Sequence, residues 1–240
     1  MIVTEEINYS AMGVNCRGYL AYDSQLPQPL PCVMIAHDWG GRGEFACQKT
    51  RQLASEGYVG FAIDMYGNAQ LGHDNEQRRA LMTPLRENRH LLATRILAGF
   101  KAAAQLPQVN ANKIAAIGYC FGGLCVLDLA RAGVAIQGVV SFHGLLTAPP
   151  NTTAQTTVNA KMLVLHGYDD PLVPPEQVMQ FTTEMTRKNV DWQVHMYGQT
   201  AHSFTNPEAN DDELGLHYNN IADRRSWQST LLFLQEVLQK

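Results

Sequence analysis

The chain has 240 residues with 22 acidic and 18 basic side chains, a formal net charge of −4 and 45% hydrophobic residues. That balance fits a globular protein long enough to bury a large core. It excludes the basic stripe of a nucleic-acid binder, and without a run of about 18 apolar residues it excludes a membrane-spanning helix. The five cysteines, Cys16, Cys32, Cys47, Cys120 and Cys125, are odd in number and hold no C-x-x-C. This argues against a disulfide framework or a zinc site and for a reducing, cytoplasmic setting. Residues 1–10 lack the basic start and apolar core of a secretory signal.

In chain order, residues 3–8 and 15–22 read as two strands around a Ser-Ala-Met-Gly turn, an antiparallel hairpin. After the prolines Pro29 and Pro31, residues 32–37 form a short continuous apolar run, as a strand buried on both faces requires. Gly40, Gly41 and Gly43 make a loop. Residues 44–56 carry Phe45, Gln48, Leu53 and Ala54 at helical spacing, ended by Gly57. Residues 58–64 are the next strand. Residues 67–82 are polar and without a clean period, a lid-like segment. Thr83 then reads as an N-cap with Pro84 at the first helical position, opening a helix that runs to Leu106. Residues 113–118 are a strand, 121–132 a helix stopped by Gly133, and 137–143 and 162–166 further strands. The segment 148–160, rich in Thr, Asn and Pro, is a surface loop. Residues 174–188 form a helix, 190–197 a last alternating strand, and 221–239 a closing helix. The alternation predicts a single α/β domain over residues 1–240, a mostly parallel sheet of about eight strands with helices on both faces.

The segment Gly118-Tyr119-Cys120-Phe121-Gly122-Gly123 follows a predicted strand and opens a predicted helix. That is the setting of a nucleophile elbow, written G-x-S-x-G in hydrolases, with cysteine in the serine position. The sharp turn needs small residues two positions before and after the nucleophile, and Gly118 and Gly122 supply them. A thiol at the helix N-terminus is favoured as thiolate, and the Phe121 N–H would face a developing oxyanion. The bland alternative is a glycine-rich turn with a buried cysteine.

Two downstream segments complete a triad order of nucleophile, acid and base. Asp169 and Asp170 stand in the loop after the strand ending at His166, and His202 follows the last strand within Ala201-His202-Ser203-Phe204. His202 would exchange protons with the thiol and the leaving group, and an aspartate would orient the ring. Either Asp169 or Asp170 can be that acid, the other capping a turn. Among the eight histidines, His37, His143 and His166 also end predicted strands. Each reads first as a hydrogen-bonded structural residue, and no pair has metal-site spacing.

These residues resemble the dienelactone hydrolase family. The match rests on Cys120 within Gly-Tyr-Cys-Phe-Gly-Gly, Asp170 within Gly-Tyr-Asp-Asp-Pro-Leu-Val-Pro, His202 within Ala-His-Ser-Phe, and Gly57-Tyr-Val-Gly-Phe-Ala-Ile-Asp-Met-Tyr-Gly67. The resemblance runs from Val33 to the final helix. It implies an α/β-hydrolase fold and hydrolysis of small lactones or esters through an acyl-enzyme, without metal or other cofactor. It selects Asp170 as the acid. It gives Asp38, where the family usually has a glutamate, the role of contacting the resting thiol, and the Trp39 N–H the role of second oxyanion donor. The family's carboxylate-binding arginines correspond to Asn206, four residues after His202, and to the neighbourhood of Arg78 and Arg79. As plain surface residues those two arginines would be solvated charges.

The expected partner is a small ester or lactone, and the chain is compatible with a monomer or a homodimer. Two other readings compete. A hydrolase scaffold can serve as a non-catalytic binding protein, although a dead version should lack a triad member. Cys120 could also act as a redox sensor with Cys125, but positions five apart on one helix diverge around its axis.

Overall fold

The computed structural model describes residues 1–150 and 157–238, so the predicted loop over 148–160 lies partly outside the described residues. The chain falls into two compact units, Met1–Ile117 and Gly118–Lys240.

The first unit opens with β1 (Ile2–Ala11) and β2 (Val14–Asp23), paired antiparallel from Ile2↔Asp23 to Ala11↔Val14. Their turn is shorter than the sequence suggests. It is Met12-Gly13, both left-handed at φ 50° and 78°, the backbone that matches strand twist in a tight hairpin. β3 (Leu30–Ala36) runs parallel to β4 (Val59–Ile63), and β5 (Val109–Tyr119) completes the order β1-β2-β4-β3-β5. All five β4 residues are buried, as expected of a strand covered on both faces. Two glycines show why it is covered. A Cβ on Gly60 would meet the Thr50 carbonyl oxygen at 2.5 Å, in α1 (Glu44–Ser55). Ile63, three positions on and thus on the opposite face, packs on Gly99, whose added Cβ would lie 2.8 Å from Ile63 Cγ2. Gly99 belongs to α3 (Arg89–Ala104).

The segment before α3 differs from expectation. Thr83 and Pro84 do not open a helix. Helix α2 (Asn75–Glu87) begins nine residues earlier, and Pro84 sits inside it. Asp74 caps it by accepting the Gln77 N–H at 2.8 Å, and Gln77 Oε1 accepts the His73 N–H at 3.1 Å. This reciprocal cap fixes the start, whereas Pro84 lies so near the C-terminal end that little helix follows it. Asn88 then ends α2 and caps α3, accepting the Leu91 N–H at 3.0 Å. Only Leu85 of α2 is buried, so no apolar period marks the helix in sequence.

The second unit holds α4 (Phe121–Arg131), β6 (Gly138–Phe142), β7 (Lys161–Gly167), α5 (Pro175–Arg187), β8 (Trp192–Tyr197) and α6 (Asn220–Leu238). β6, β7 and β8 pair parallel in that order. A Cβ on Gly138 would meet Phe233 of α6 at 2.9 Å, and Ser141 Oγ, on the other face of β6, would lie 2.5 Å from a Cβ on Gly123 of α4. Helices therefore cover both faces here too. Arg131 is buried at the end of α4 and bonds Glu184 Oε2 at 2.7 Å and the Leu146 carbonyl at 2.9 Å. One element has no counterpart in the sequence reading, a short hairpin of β9 (Asn210–Asp211) and β10 (Leu216–His217). Eight strands with helices on both faces make this an α/β-hydrolase fold. Among the described residues no helix is long and apolar enough to cross a membrane.

Candidate functional site

Cys120 stands between β5 and α4 with φ 55° and ψ −114°, a conformation costly for any residue with a side chain. Its N–H donates to the Phe142 carbonyl at 3.0 Å. The glycines around it allow the turn: a Cβ on Gly118 would run into the Gly122 carbonyl, and one on Gly123 would lie 2.8 Å from Gly144 Cα. The result is a half-exposed thiol at the N-terminus of an 11-residue helix. Phe121 opens that helix, where N–H groups point out of the end. The other four cysteines are buried, and burial pushes the thiols of Cys16, Cys32 and Cys47 up, away from thiolate character.

Asp170 lies in the loop after β7 and is buried. Its Oδ2 accepts the His202 Nδ1–H at 2.7 Å, and its Oδ1 accepts the Leu172 N–H at 2.9 Å. Asp169 is exposed, its own N–H donated to the Thr200 carbonyl at 3.0 Å. Of the two adjacent acids, Asp170 is the one that meets the imidazole.

His202 is fully buried. The β9–β10 hairpin holds its backbone on both sides: its N–H donates to the Gly215 carbonyl at 3.2 Å, and its carbonyl accepts the His217 N–H at 3.0 Å. Burial pushes its pKa down, but the charge of Cys120 and the bond to Asp170 outweigh this and raise it to about 10, while Nε2 is buried with no hydrogen-bond partner among the described residues. With that shift the ring carries its second proton at neutral pH, its Nδ1–H held by Asp170.

The remaining candidates make the following contacts. Asn206 is half-buried and part of a turn, its N–H on the Ser203 carbonyl at 2.9 Å and its Oδ1 accepting the Glu208 N–H at 3.0 Å. Asp38 and Trp39 belong to the first unit. Asp38 Oδ1 accepts the Gly40 N–H at 2.7 Å, and the Trp39 carbonyl accepts the Tyr66 hydroxyl at 2.9 Å. The Arg78 guanidinium lies over the Trp39 ring, 5.6 Å from its centre, with Nε donating to the Gly72 carbonyl at 3.1 Å. Arg79 is exposed.

The three strand-end histidines are buried. His37 donates from Nδ1 to the Asp38 carbonyl at 2.6 Å and accepts the Met65 N–H at Nε2, so it is a satisfied neutral ring. His166 donates from Nε2 to the Val173 carbonyl at 3.0 Å. His143 packs edge to face on His202, with ring centres 5.1 Å apart. No group of three or more His, Cys, Asp or Glu among the described residues is arranged to hold a metal ion.

The chain is similar to proteins of one family. The dienelactone hydrolase family model matches residues 16–238. A solved structure named m3DLH is 34% identical with a TM-score of 0.93 and covers 99% of each chain. A dienelactone hydrolase-like promiscuous phosphotriesterase from metagenomic libraries is 32% identical with a TM-score of 0.93, covering 98% of each chain. A putative carboxymethylenebutenolidase of Aquifex aeolicus (strain VF5) is 26% identical over 215 residues, 85% of this chain and 88% of that one.

Proposed function

Because the chain belongs to the dienelactone hydrolase family, we propose that it hydrolyses small carboxylic esters or lactones through an acyl-enzyme on Cys120. The observation that carries this reading is the buried Asp170–His202 pair at 2.7 Å, downstream of the strained Cys120 turn at the start of α4. The Cys120 thiolate attacks the substrate carbonyl carbon, and the carbonyl oxygen takes the negative charge against the Phe121 N–H. As the tetrahedral species collapses, the bond to the leaving oxygen breaks and His202 gives that oxygen its proton. Neutral His202 then takes a proton from water. The hydroxide attacks the thioester carbon, and the thiolate leaves. Asp170 keeps Nδ1 occupied throughout, so that Nε2 is the nitrogen that exchanges protons. Trp39 and Asp38 are assigned the roles of second oxyanion donor and resting-thiol contact by their place in the sequence alone.

A thiolate is both nucleophile and leaving group, so activated esters and lactones are favoured over amides. The resemblance alone, by place in the sequence, assigns carboxylate recognition to Asn206 and to the neighbourhood of Arg78 and Arg79. A second reading follows from the 32% identical relative named a phosphotriesterase. The same thiolate would attack phosphorus in an aryl phosphotriester, expelling the aryl oxide.

The test is turnover of p-nitrophenyl acetate, a lactone panel and an aryl phosphotriester by wild type and Cys120→Ala. Loss of at least about 10³-fold in the variant is expected, together with an acetyl group on the Cys120 peptide of quenched wild type. Undiminished turnover by Cys120→Ala would falsify the reading. Binding of panel compounds without turnover would favour a binding protein.

A further inference from the structure

Beside the candidate triad lies a second buried imidazole that the mechanism above does not use. His143 follows β6 with φ at 38°, left-handed for a residue with a Cβ, a conformation that persists only where the surroundings over-determine it. Its N–H donates to the Leu165 carbonyl at 2.8 Å. Its ring, 2% exposed as a residue, sits edge to face against His202 at 5.1 Å and against Phe204 at 5.1 Å. Nε2 is 2.8 Å from Thr205 Oγ1, itself buried, while Nδ1 is buried with no hydrogen-bond partner among the described residues.

An apolar ring would fill this space without leaving a nitrogen unpaired in the core, a costly arrangement. The imidazole offers what a phenyl ring does not, a tether to Thr205. That tether fixes the tilt of the wall on which His202 rests. We propose that His143 is a positioning residue for His202: held by Thr205, it keeps the His202 ring in the plane of its bond to Asp170. This rests on the proposed role of His202.

The electrostatics agree. Burial first, then the charge of His202 and the neighbouring His166, hold His143 well below the usual histidine range. His143 therefore stays neutral and does not compete for the proton that His202 carries. The groups acting on His202 are Cys120 and Asp170, and those beside His143 are His202, His166 and the Tyr119 ring at 6.2 Å.

The experiment uses His143→Phe, Thr205→Val and the double variant. His143→Phe keeps a ring in place and removes the tether, and Thr205→Val removes the tether and keeps the imidazole. Two readouts are taken: kcat and KM for p-nitrophenyl acetate, and the His202 titration by NMR of the imidazole nitrogens. Each single variant should lose about tenfold in kcat with KM within about twofold, and the double should be no worse than either single. The His202 titration should move down in both, because a tilted ring loosens its bond to Asp170. Wild-type kcat and titration in His143→Phe would reduce His143 to packing and overturn the proposal. An unaffected Thr205→Val would overturn the tether. The titration reads His143's action without hydrolysis, so a failure of the hydrolase reading shows in Cys120→Ala and a failure here shows in the His202 nitrogens.

Discussion

Each unit buries an aspartate beyond the end of a strand, and the two are wired in opposite ways. Asp64, directly after β4, accepts four backbone N–H groups, those of Arg17, Tyr66, Gly67 and Ala69, at 2.8 to 3.1 Å. Every donor is main chain, so the carboxylate shapes the loop after β4 and has nothing left to orient a base. Asp170 accepts one backbone N–H and gives its other oxygen to His202. The same contrast runs through the histidines. His37 in the first unit has both nitrogens satisfied, whereas His143 in the second leaves Nδ1 unpaired. Burial alone does not mark function; what marks it is where the lone pairs and protons go.

The largest effect should come from exchanging the roles of the two carboxylates. Asp170→Asn should cost about 10³ to 10⁴ in kcat for an activated ester while the melting temperature hardly moves, because the amide favours the wrong tautomer of His202. Retention of more than a tenth of the activity would erase the distinction. Asp64→Ala should do the reverse. Leaving buried N–H donors unpaired costs about 3 kcal/mol or more in urea unfolding, with kcat per folded molecule within about twofold of wild type. A stable Asp64→Ala protein would show the cradle to be dispensable.

A pH series sharpens the second half of the comparison. Folding raises His202 from 6.5 to about 10, so the native state binds its proton more tightly than the unfolded chain does. That stabilisation is fully present below pH 6.5 and is lost as pH rises through about 10. The difference in unfolding free energy between wild type and His202→Ala should shrink across that window, and a constant difference would remove the charged pair from the account. In Cys120→Ala the His202 titration should move down, because the thiolate that helps raise it is gone.

The smallest effect concerns the Arg78 guanidinium over Trp39. Arg78→Ala should lower kcat/KM by about tenfold for a carboxylate-bearing lactone and leave p-nitrophenyl acetate unchanged, with Arg79→Ala indifferent to both. Equal loss on both substrates would assign Arg78 to packing on Trp39.

Much of this was legible in the residues because the causes are local. The continuous apolar run of β3, the Gly57 stop after α1 and the glycines around Cys120 each act within a few positions. The start of α2 was hidden because that helix is almost wholly exposed, and its true cap at Asp74 lies ahead of the more conspicuous Thr83-Pro84. β9 and β10 are two residues each and too short to carry a period, yet β10 and the Gly215 before it hold both backbone groups of His202. The position of His143 at a strand end was visible; its contact with His202, 59 residues away in the chain, was not.

By itself the sequence determined the elbow, since Gly118, Cys120 and Gly122 meet their steric requirement within five residues. It also determined the order in which a thiol, an acid and an imidazole arrive. Which aspartate bonds His202 was left open by spacing, and there the family pattern pointed to Asp170. Only the tertiary structure decided that one neighbour turns into the core and the other into solvent. Adjacent residues in a loop have the same local chemistry, and what separates Asp170 from Asp169 is a hydrogen bond to a ring 32 residues away. The same holds for Asn206, whose amide becomes part of a turn through contacts that residue type alone does not specify.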